Sequence, residues 1–254
     1  MQSLHAVRVA RRMSAPRGPF RVVRWMSTSR QRCRADGKQL DETGWQRMGA
    51  EGKPQVTDDS TGASLPIPES NDDGEVREAI WCWLDGSVIG LDLCPFAGHA
   101  RRHGHIRITF IKSDTVETAL AEIAREMIEL TGNEDADATV LLALTRVAAD
   151  FEDFLDLLAL VNALLTDLGL AGEIQVASFH PEYCFSGALP QARGNFTNRS
   201  PVPILHLLQE ASVSRALAHF DGDPAAIPVR NVALLEGMSD EEFERVRKMK
   251  QKKG

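Results

Sequence analysis

The sequence predicts a small α/β domain with a mostly parallel three-stranded sheet and flanking helices. Between residues 105 and 178, strand-like and helix-like apolar patterns alternate in the order strand, helix, strand, helix, strand. The middle strand, residues 139–144, is apolar throughout, as expected for a strand covered on both faces. This βαβαβ order favours parallel strands joined by right-handed crossovers. An α+β fold with one reversed strand is the alternative.

The first predicted helix covers residues 76–89, where apolar residues recur at helical spacing, and Gly90 ends it. A strand follows at residues 105–111, where apolar and polar residues alternate. Asp114, with an acidic residue three positions later, is the predicted start of the next helix, which ends before Gly132.

The second half of the folded part continues the alternation. Asp150 is the predicted cap of a long helix that ends at Gly169, and residues 173–178 form the third strand. Another helix is predicted after the connection that follows, with its apolar positions at Ile204, Leu207, Leu208, Ala211 and Leu217, and a short helix follows at residues 227–235.

The composition is that of a soluble globular protein, with 43% hydrophobic and 26% charged residues. No apolar run approaches the roughly 20 residues needed to span a bilayer, so no membrane role is expected. The four cysteines show no paired spacing, which argues against a disulfide framework and indicates a reducing compartment: Cys33, Cys82, Cys94 and Cys184.

Charge is distributed unevenly along the 254 residues. Residues 1–34 contain nine arginines and no acidic residue, although the whole chain has a net charge of −7. This segment is predicted to be a mitochondrial presequence, which places the protein in the matrix. A basic arm, an over-extended start and a plastid address are the alternatives, and without a presequence the protein is cytoplasmic. The acidic remainder argues against nucleic-acid binding.

Three further parts are predicted after the presequence. Residues 35–74 are polar and rich in Gly, Pro, Ser and Asp, and are predicted to be a disordered linker. Residues 75–237 form a single domain. Residues 238–254 form a charged tail, predicted as a solvated, fraying helix.

Residues 179–206, termed here the connecting segment, concentrate the groups that could carry chemistry. A connection this long within a compact domain is usually functional or disordered, and its four aromatic residues argue against disorder. Ligands of open α/β sheets bind beyond the carboxyl ends of the strands. His180 and Tyr183, directly after the third strand, are therefore expected at a catalytic site.

Cys94 is the candidate nucleophile. A reactive thiolate needs a nearby cation, an imidazole or a helix N-terminus, and His180 could supply the imidazole and act as the base. The alternative is that Cys94 is a small buried hydrophobe, the usual role of a free cysteine.

An anion-binding group is predicted at the start of the helix that contains Ile204 and Leu217. Ser200 is the predicted N-cap, Pro201 fits the first helical position, and His206 lies in the first turns. Arg199 beside Asn198 would clamp a carboxylate or phosphate, with Arg193 as a helper. Alternatively, Arg199 pins the loop to an acidic residue.

A metal site is the competing chemistry. His99, His103 and His105 lie close in sequence, but Gly98 and Gly104 predict a basic surface loop there and the spacing matches no compact zinc pattern. No metal ligand is therefore assigned, and the cofactor is left unknown. Phosphate-loop, dinucleotide-binding, nucleophile-elbow and zinc-protease motifs are all missing.

Several sequence words, in order, resemble the bacterial and organellar family catalogued as domain of unknown function 1415: LCPFA, DF, FHPEYCF, NRSP, PILHLL and ASVSRA. The resemblance covers residues 76–237 and implies no particular activity. The chain departs from the family pattern at Gln191–Ala192 and Val202, and Cys184 is particular to this chain. The resemblance singles out Cys94, Pro95, Phe96, His180, Pro181, Tyr183, Asn198, Arg199, Ser200, Pro201 and His206.

The leading hypothesis is an enzyme acting on an anionic small molecule. His180 would be the acid/base, Cys94 a nucleophile and Arg199 the anion clamp, with Tyr183 and His206 completing the pocket. A non-catalytic binding or assembly module, whose polar side chains satisfy backbone groups, is the second hypothesis. A metal-dependent protein is the third.

Overall fold

The structure, a computed structural model, describes residues 73–249. Four strands form one mixed sheet in the order β1–β2–β4–β3. They are β1 (Ile106–Ile111), β2 (Thr139–Leu144), β3 (Ile174–Phe179) and β4 (Ile204–Gln209). β1 and β2 are parallel, whereas β4 is antiparallel to both β2 and β3. β1, β2 and β3 therefore run in one direction, with β4 reversed between the last two.

The domain is confirmed as mixed α and β, but the prediction of a three-stranded, mostly parallel sheet is wrong. Ile204–Gln209 is a strand, whereas the sequence analysis assigned it to the start of a helix. β2 and β3 pair with both of its edges, and its apolar side chains are buried in the layers on the two faces of the sheet. A short apolar run fits a helix or a buried strand equally well by periodicity, and the reversed strand of the alternative fold is present.

The helices are α1 to α7 in chain order. α1 continues directly into one π-helical stretch, Leu84–Ile89, which ends at Gly90 as predicted. α5 begins at Glu210, directly after the last residue of β4. Their bounds are α1 Asp73–Trp83, α2 Ala97–Arg102, α3 Val116–Thr131, α4 Phe151–Asp167, α5 Glu210–Ala218, α6 Ala226–Glu236 and α7 Asp240–Met249.

Two helix starts test the cap predictions. Asp150 caps α4 as predicted, since its carboxylate accepts a hydrogen bond from the Glu152 N–H at 2.8 Å. The predicted cap of α3, Asp114, is wrong by one residue. Thr115 caps that helix instead, accepting the Thr118 N–H through its hydroxyl at 3.3 Å.

α2 lies where a loop was predicted. Gly98 costs an exposed helix only about 1 kcal/mol relative to alanine, so a single short helix tolerates it. Gly104, with φ of +74°, then turns the chain from α2 into β1. This conformation is one that glycine adopts readily and other residues rarely do.

The sheet is covered by helices on both faces. α3 and α4 pack on one face, termed here the α3/α4 face, against alternate residues of all four strands, which include Val140, Leu142, Val176, Leu205 and Leu207. α1 and the π-helical stretch pack on the other, termed here the α1 face. Their partners there include Ile108, Phe110, Leu141, Ala143 and Ile204. Two apolar layers therefore enclose the sheet.

The C-terminal part packs onto the domain. Phe243 and Val246 of α7 are buried, and the Phe243 ring meets that of Phe196 edge-on at 4.7 Å. The predicted tail therefore contains a packed helix. The predictions for residues 1–34, and for 35–72 of the linker, lie outside the described residues. Within the described part, no helix is both long and apolar enough to cross a membrane.

Candidate functional site

Residues 180–203 of the connecting segment join β3 to β4, and its two ends, Phe179 and Ile204–His206, belong to these strands. It leaves the carboxyl end of β3 at His180, forms several turns, and includes one 3-10 helix, Arg193–Thr197. The location predicted for a site, at the carboxyl end of the third strand, is therefore where this segment lies.

His180 is completely buried, and both ring nitrogens are engaged. The Glu182 N–H donates to Nδ1 at 3.1 Å, so Nδ1 carries no proton. Nε2 then carries it and donates to the carbonyl of Ala149 at 3.1 Å. Burial lowers the pKa of His180 below its ordinary value, so the imidazole is neutral.

Tyr183 lies beside His180 and is almost as buried. Its N–H donates to the His180 carbonyl at 3.1 Å, and both rings pack against Phe151. Burial raises the pKa of Tyr183, and a hydrogen bond with the Ser178 hydroxyl opposes that increase. The phenol is therefore neutral and held in place.

Arg199 stabilises the segment internally. Its guanidinium donates to the carbonyl of Tyr183 at 3.2 Å and to that of Pro190 at 2.6 Å. It also lies over the Phe196 ring, 4.4 Å from the centroid. The helix N-terminus predicted beside Arg199 does not exist, since a strand follows. These contacts fit the alternative, in which Arg199 pins the loop, better than an anion clamp. The two partners are carbonyl oxygens, whereas an acidic residue was predicted.

Arg193, the predicted helper, points to a different part of the molecule. It donates to the Met238 carbonyl and the Asp240 carboxylate, and lies over the Phe243 ring at 4.7 Å. The arginine therefore joins the connecting segment to α7.

Asn198 and Ser200 are buried and bonded to nearby backbone. The Asn198 amide donates to the Ser178 carbonyl at 3.3 Å, and the Ser200 hydroxyl donates to that of Val202 at 2.6 Å. The backbones of both residues also pair with His180. The predicted N-cap role of Ser200 is wrong, because Ile204–Gln209 is a strand.

His206 lies in the middle of the sheet, opposite Leu141 and Ala177. The Thr139 hydroxyl donates to the Leu207 carbonyl at 2.7 Å, so it accepts from the His206 Nε2 at 2.6 Å. Burial lowers the pKa of His206 to about 4. The prediction that His206 occupies the first turns of a helix is wrong, for the reason given for β4.

Cys94 packs with the α1 face of the sheet. His180, by contrast, packs against Phe154 of α4, which belongs to the α3/α4 face. Burial raises the pKa of Cys94, the opposite of what a nucleophilic thiolate needs. The structure thus brings His180, Tyr183, Asn198 and Ser200 together but leaves Cys94 apart.

Two buried asparagines escaped the sequence analysis. Asn195 accepts the Phe185 N–H at 3.0 Å and donates to the Leu189 carbonyl at 2.8 Å. Asn231 of α6 donates to the Leu93 carbonyl at 2.7 Å and anchors the chain beside Cys94. The only signal for Asn195 was its position between two of the short motifs that carry the family resemblance, FHPEYCF and NRSP, whereas nothing in the pattern of α6 distinguishes Asn231.

The comparisons with known proteins give one result. Residues 75–245 match the model of the family described as protein of unknown function (DUF1415). No curated protein and no solved structure matches the chain. The matched range includes the motif words and extends into α7. The chain therefore belongs to the family described as protein of unknown function (DUF1415).

Proposed function

We propose that this domain is a non-catalytic binding or assembly module, in which the connecting segment is a rigid frame. The observation that carries the proposal is the state of His180. Its Nδ1 lone pair accepts the Glu182 N–H, and its Nε2 proton goes to the Ala149 carbonyl. A general base must offer a lone pair to its substrate, and this imidazole has already used it.

Arg199 supports the same proposal. An anion clamp needs guanidinium N–H groups directed at the ligand, whereas two of these groups donate to the carbonyls of Tyr183 and Pro190. Binding an anion there would require breaking the contacts that hold the turns of the segment. The arginine is therefore better suited to bracing the loop than to recognising a substrate.

The position of Cys94 supports it further. A Cys–His pair needs the sulfur and the imidazole within hydrogen-bonding reach. Cys94 packs on the α1 face, whereas His180 packs against α4 on the other face. The alternative, an enzyme for anionic small molecules, would need both a rearranged segment and a different base.

Thermal melting of the full chain, with and without phosphate or citrate, tests the proposal. The native chain, Arg199→Lys and the control Arg125→Lys are compared; Arg125 is exposed on α3. Under the proposal, each anion shifts the melting temperature of all three proteins equally. An anion that stabilises the native chain and Arg125→Lys, but not Arg199→Lys, would contradict the bracing role of Arg199 and support the anion clamp that the enzyme hypothesis needs.

A further inference from the structure

Three histidines meet where α2 turns into β1, at the opposite end of the sheet from His180. His99 and His103 are one helical turn apart, and the turn at Gly104 brings His105 beside them. The rings stack, with centroids 4.1 Å apart for the first pair and 5.8 Å for His103 and His105. One ring nitrogen from each residue lies within 4.8 Å of the other two. These residues are termed the histidine trio.

The hydrogen bonds of the trio leave ligand atoms available. His105 Nδ1 bonds the Asp135 carboxylate at 2.7 Å, and His103 Nδ1 bonds the His99 carbonyl at 2.9 Å. Both oxygens are acceptors, so each Nδ1 donates, and in the neutral imidazole each Nε2 then presents a lone pair. Metal-binding histidines usually donate their second nitrogen to a carboxylate or a carbonyl in this way.

Asp135 is itself held in position. Its second carboxylate oxygen accepts the Asp137 N–H at 2.9 Å, while Asp137 pairs with Arg215 at 2.6 Å. The carboxylate that orients His105 is therefore fixed by the loop before β2. This partner from a different part of the chain distinguishes the trio from a chance run of surface histidines.

We propose that the histidine trio binds a divalent first-row transition metal ion, with Zn²⁺ as the best fit, and leaves one coordination position to water. Imidazole suits this class of metal, and three protein ligands plus water form a common open zinc site. Zinc–nitrogen bonds of about 2.0–2.1 Å require the ligand nitrogens to approach more closely than 4.8 Å. The exposed rings of His99 and His103 have room to do so.

Calorimetric titration of the full chain with Zn²⁺, supported by Co²⁺ absorption spectra, tests the site. The native chain and the control His219→Ala, which removes an exposed histidine of the α5 C-terminus, should bind one ion each with equal affinity. The triple variant His99→Ala/His103→Ala/His105→Ala should lose this binding, and its Co²⁺ spectrum should be that of the free ion.

Asp135→Asn separates a built site from adventitious binding. Loss of a carboxylate behind a metal-bound histidine typically weakens metal binding about 10–100-fold, and that reduction is expected here. Circular dichroism must show that each variant is folded. The site is contradicted if the native chain binds no ion stoichiometrically, if the triple variant binds with native affinity, or if Asp135→Asn leaves the affinity unchanged.

Discussion

The connecting segment and the histidine trio both concentrate polar side chains, but they use them differently. In the segment, His180 and Arg199 direct their polar atoms at backbone groups of the domain. In the trio, His99 and His103 are exposed, and within the described part of the chain the hydrogen bonds of His103 and His105 go through Nδ1. The first region is built for rigidity, whereas the second leaves nitrogen lone pairs for a ligand.

A cluster of residue types that can act in catalysis is therefore not by itself evidence for a catalytic site. A buried polar group must be hydrogen-bonded, and burial without a partner costs free energy. Long turns between strands therefore recruit His, Asn and Arg to satisfy their backbone. A rigid frame and a ligand-binding site therefore differ in whether lone pairs remain available to a ligand.

The largest expected effect is that of His180→Ala. It removes a buried ring packed on Phe151 and Phe154, and it removes the imidazole that bonds the Ala149 carbonyl and the Glu182 N–H. We expect a loss of about 3–4 kcal/mol in the free energy of unfolding, measured by urea denaturation. The exposed control His219→Ala should change it by less than about 0.5 kcal/mol. Equal effects of the two variants would remove the distinction between frame and surface.

Acid should destabilise the domain through His206. The pKa of His206 is lowered from 6.5 to about 4 by burial, so the unfolded chain binds the proton more tightly. The stability is therefore complete above pH 6.5 and falls as the pH drops towards 4, by roughly 2–3 kcal/mol in total. When the free energy of unfolding is measured by urea denaturation across this pH range, its slope against pH should be shallower for His206→Gln than for the native chain. An unchanged slope would mean that this imidazole does not titrate as a buried group.

Arg199→Lys should have an intermediate effect. Lysine keeps the charge but cannot bond the carbonyls of Tyr183 and Pro190 together while stacking on Phe196. A loss of about 1–2 kcal/mol in unfolding free energy is expected, with Arg125→Lys within about 0.5 kcal/mol of the native chain. If Arg199→Lys has the same unfolding free energy as the native chain, the guanidinium does not brace the segment.

The smallest effect on stability is expected in the trio. His103 is exposed, so His103→Ala without metal should alter the unfolding free energy by less than about 0.5 kcal/mol. The same variant should lose the stabilisation that Zn²⁺ gives the native chain, because a ligand that binds the folded state stabilises it. A large loss of stability in the absence of metal would make the trio a structural element like the segment.

Much of the fold could be predicted from the sequence because its signals are local. The apolar run of β2, the alternation in β1 and the Asp150 cap each depend on neighbouring residues. β4 could not be distinguished in this way, since its apolar run is compatible with either period. Its strand conformation comes from pairing with β2 and β3, which are distant in sequence.

For the site, as for the fold, features that follow from local sequence could be predicted, whereas features that depend on distant contacts could not. The sequence order correctly placed His180 after β3, and Tyr183 near it, because that position follows from chain continuity. The pairing of Cys94 with His180 required knowing which face of the sheet each residue packs against. The trio was obscured by Gly98, which suggested a loop, and by Asp135, which lies 30 residues from His105.

The pH dependence of Cys94 alkylation in the full chain tests the central claim most directly. Tandem mass spectrometry of the modified peptides would follow Cys94 separately from the other cysteines. We expect Cys94 to react slowly at neutral pH and to titrate above a free thiol, whose pKa is ~8.5, because burial raises the pKa of Cys94. Rapid alkylation below about pH 7 would reveal a stabilised thiolate, and would contradict the assignment of Cys94 as a buried, non-nucleophilic thiol.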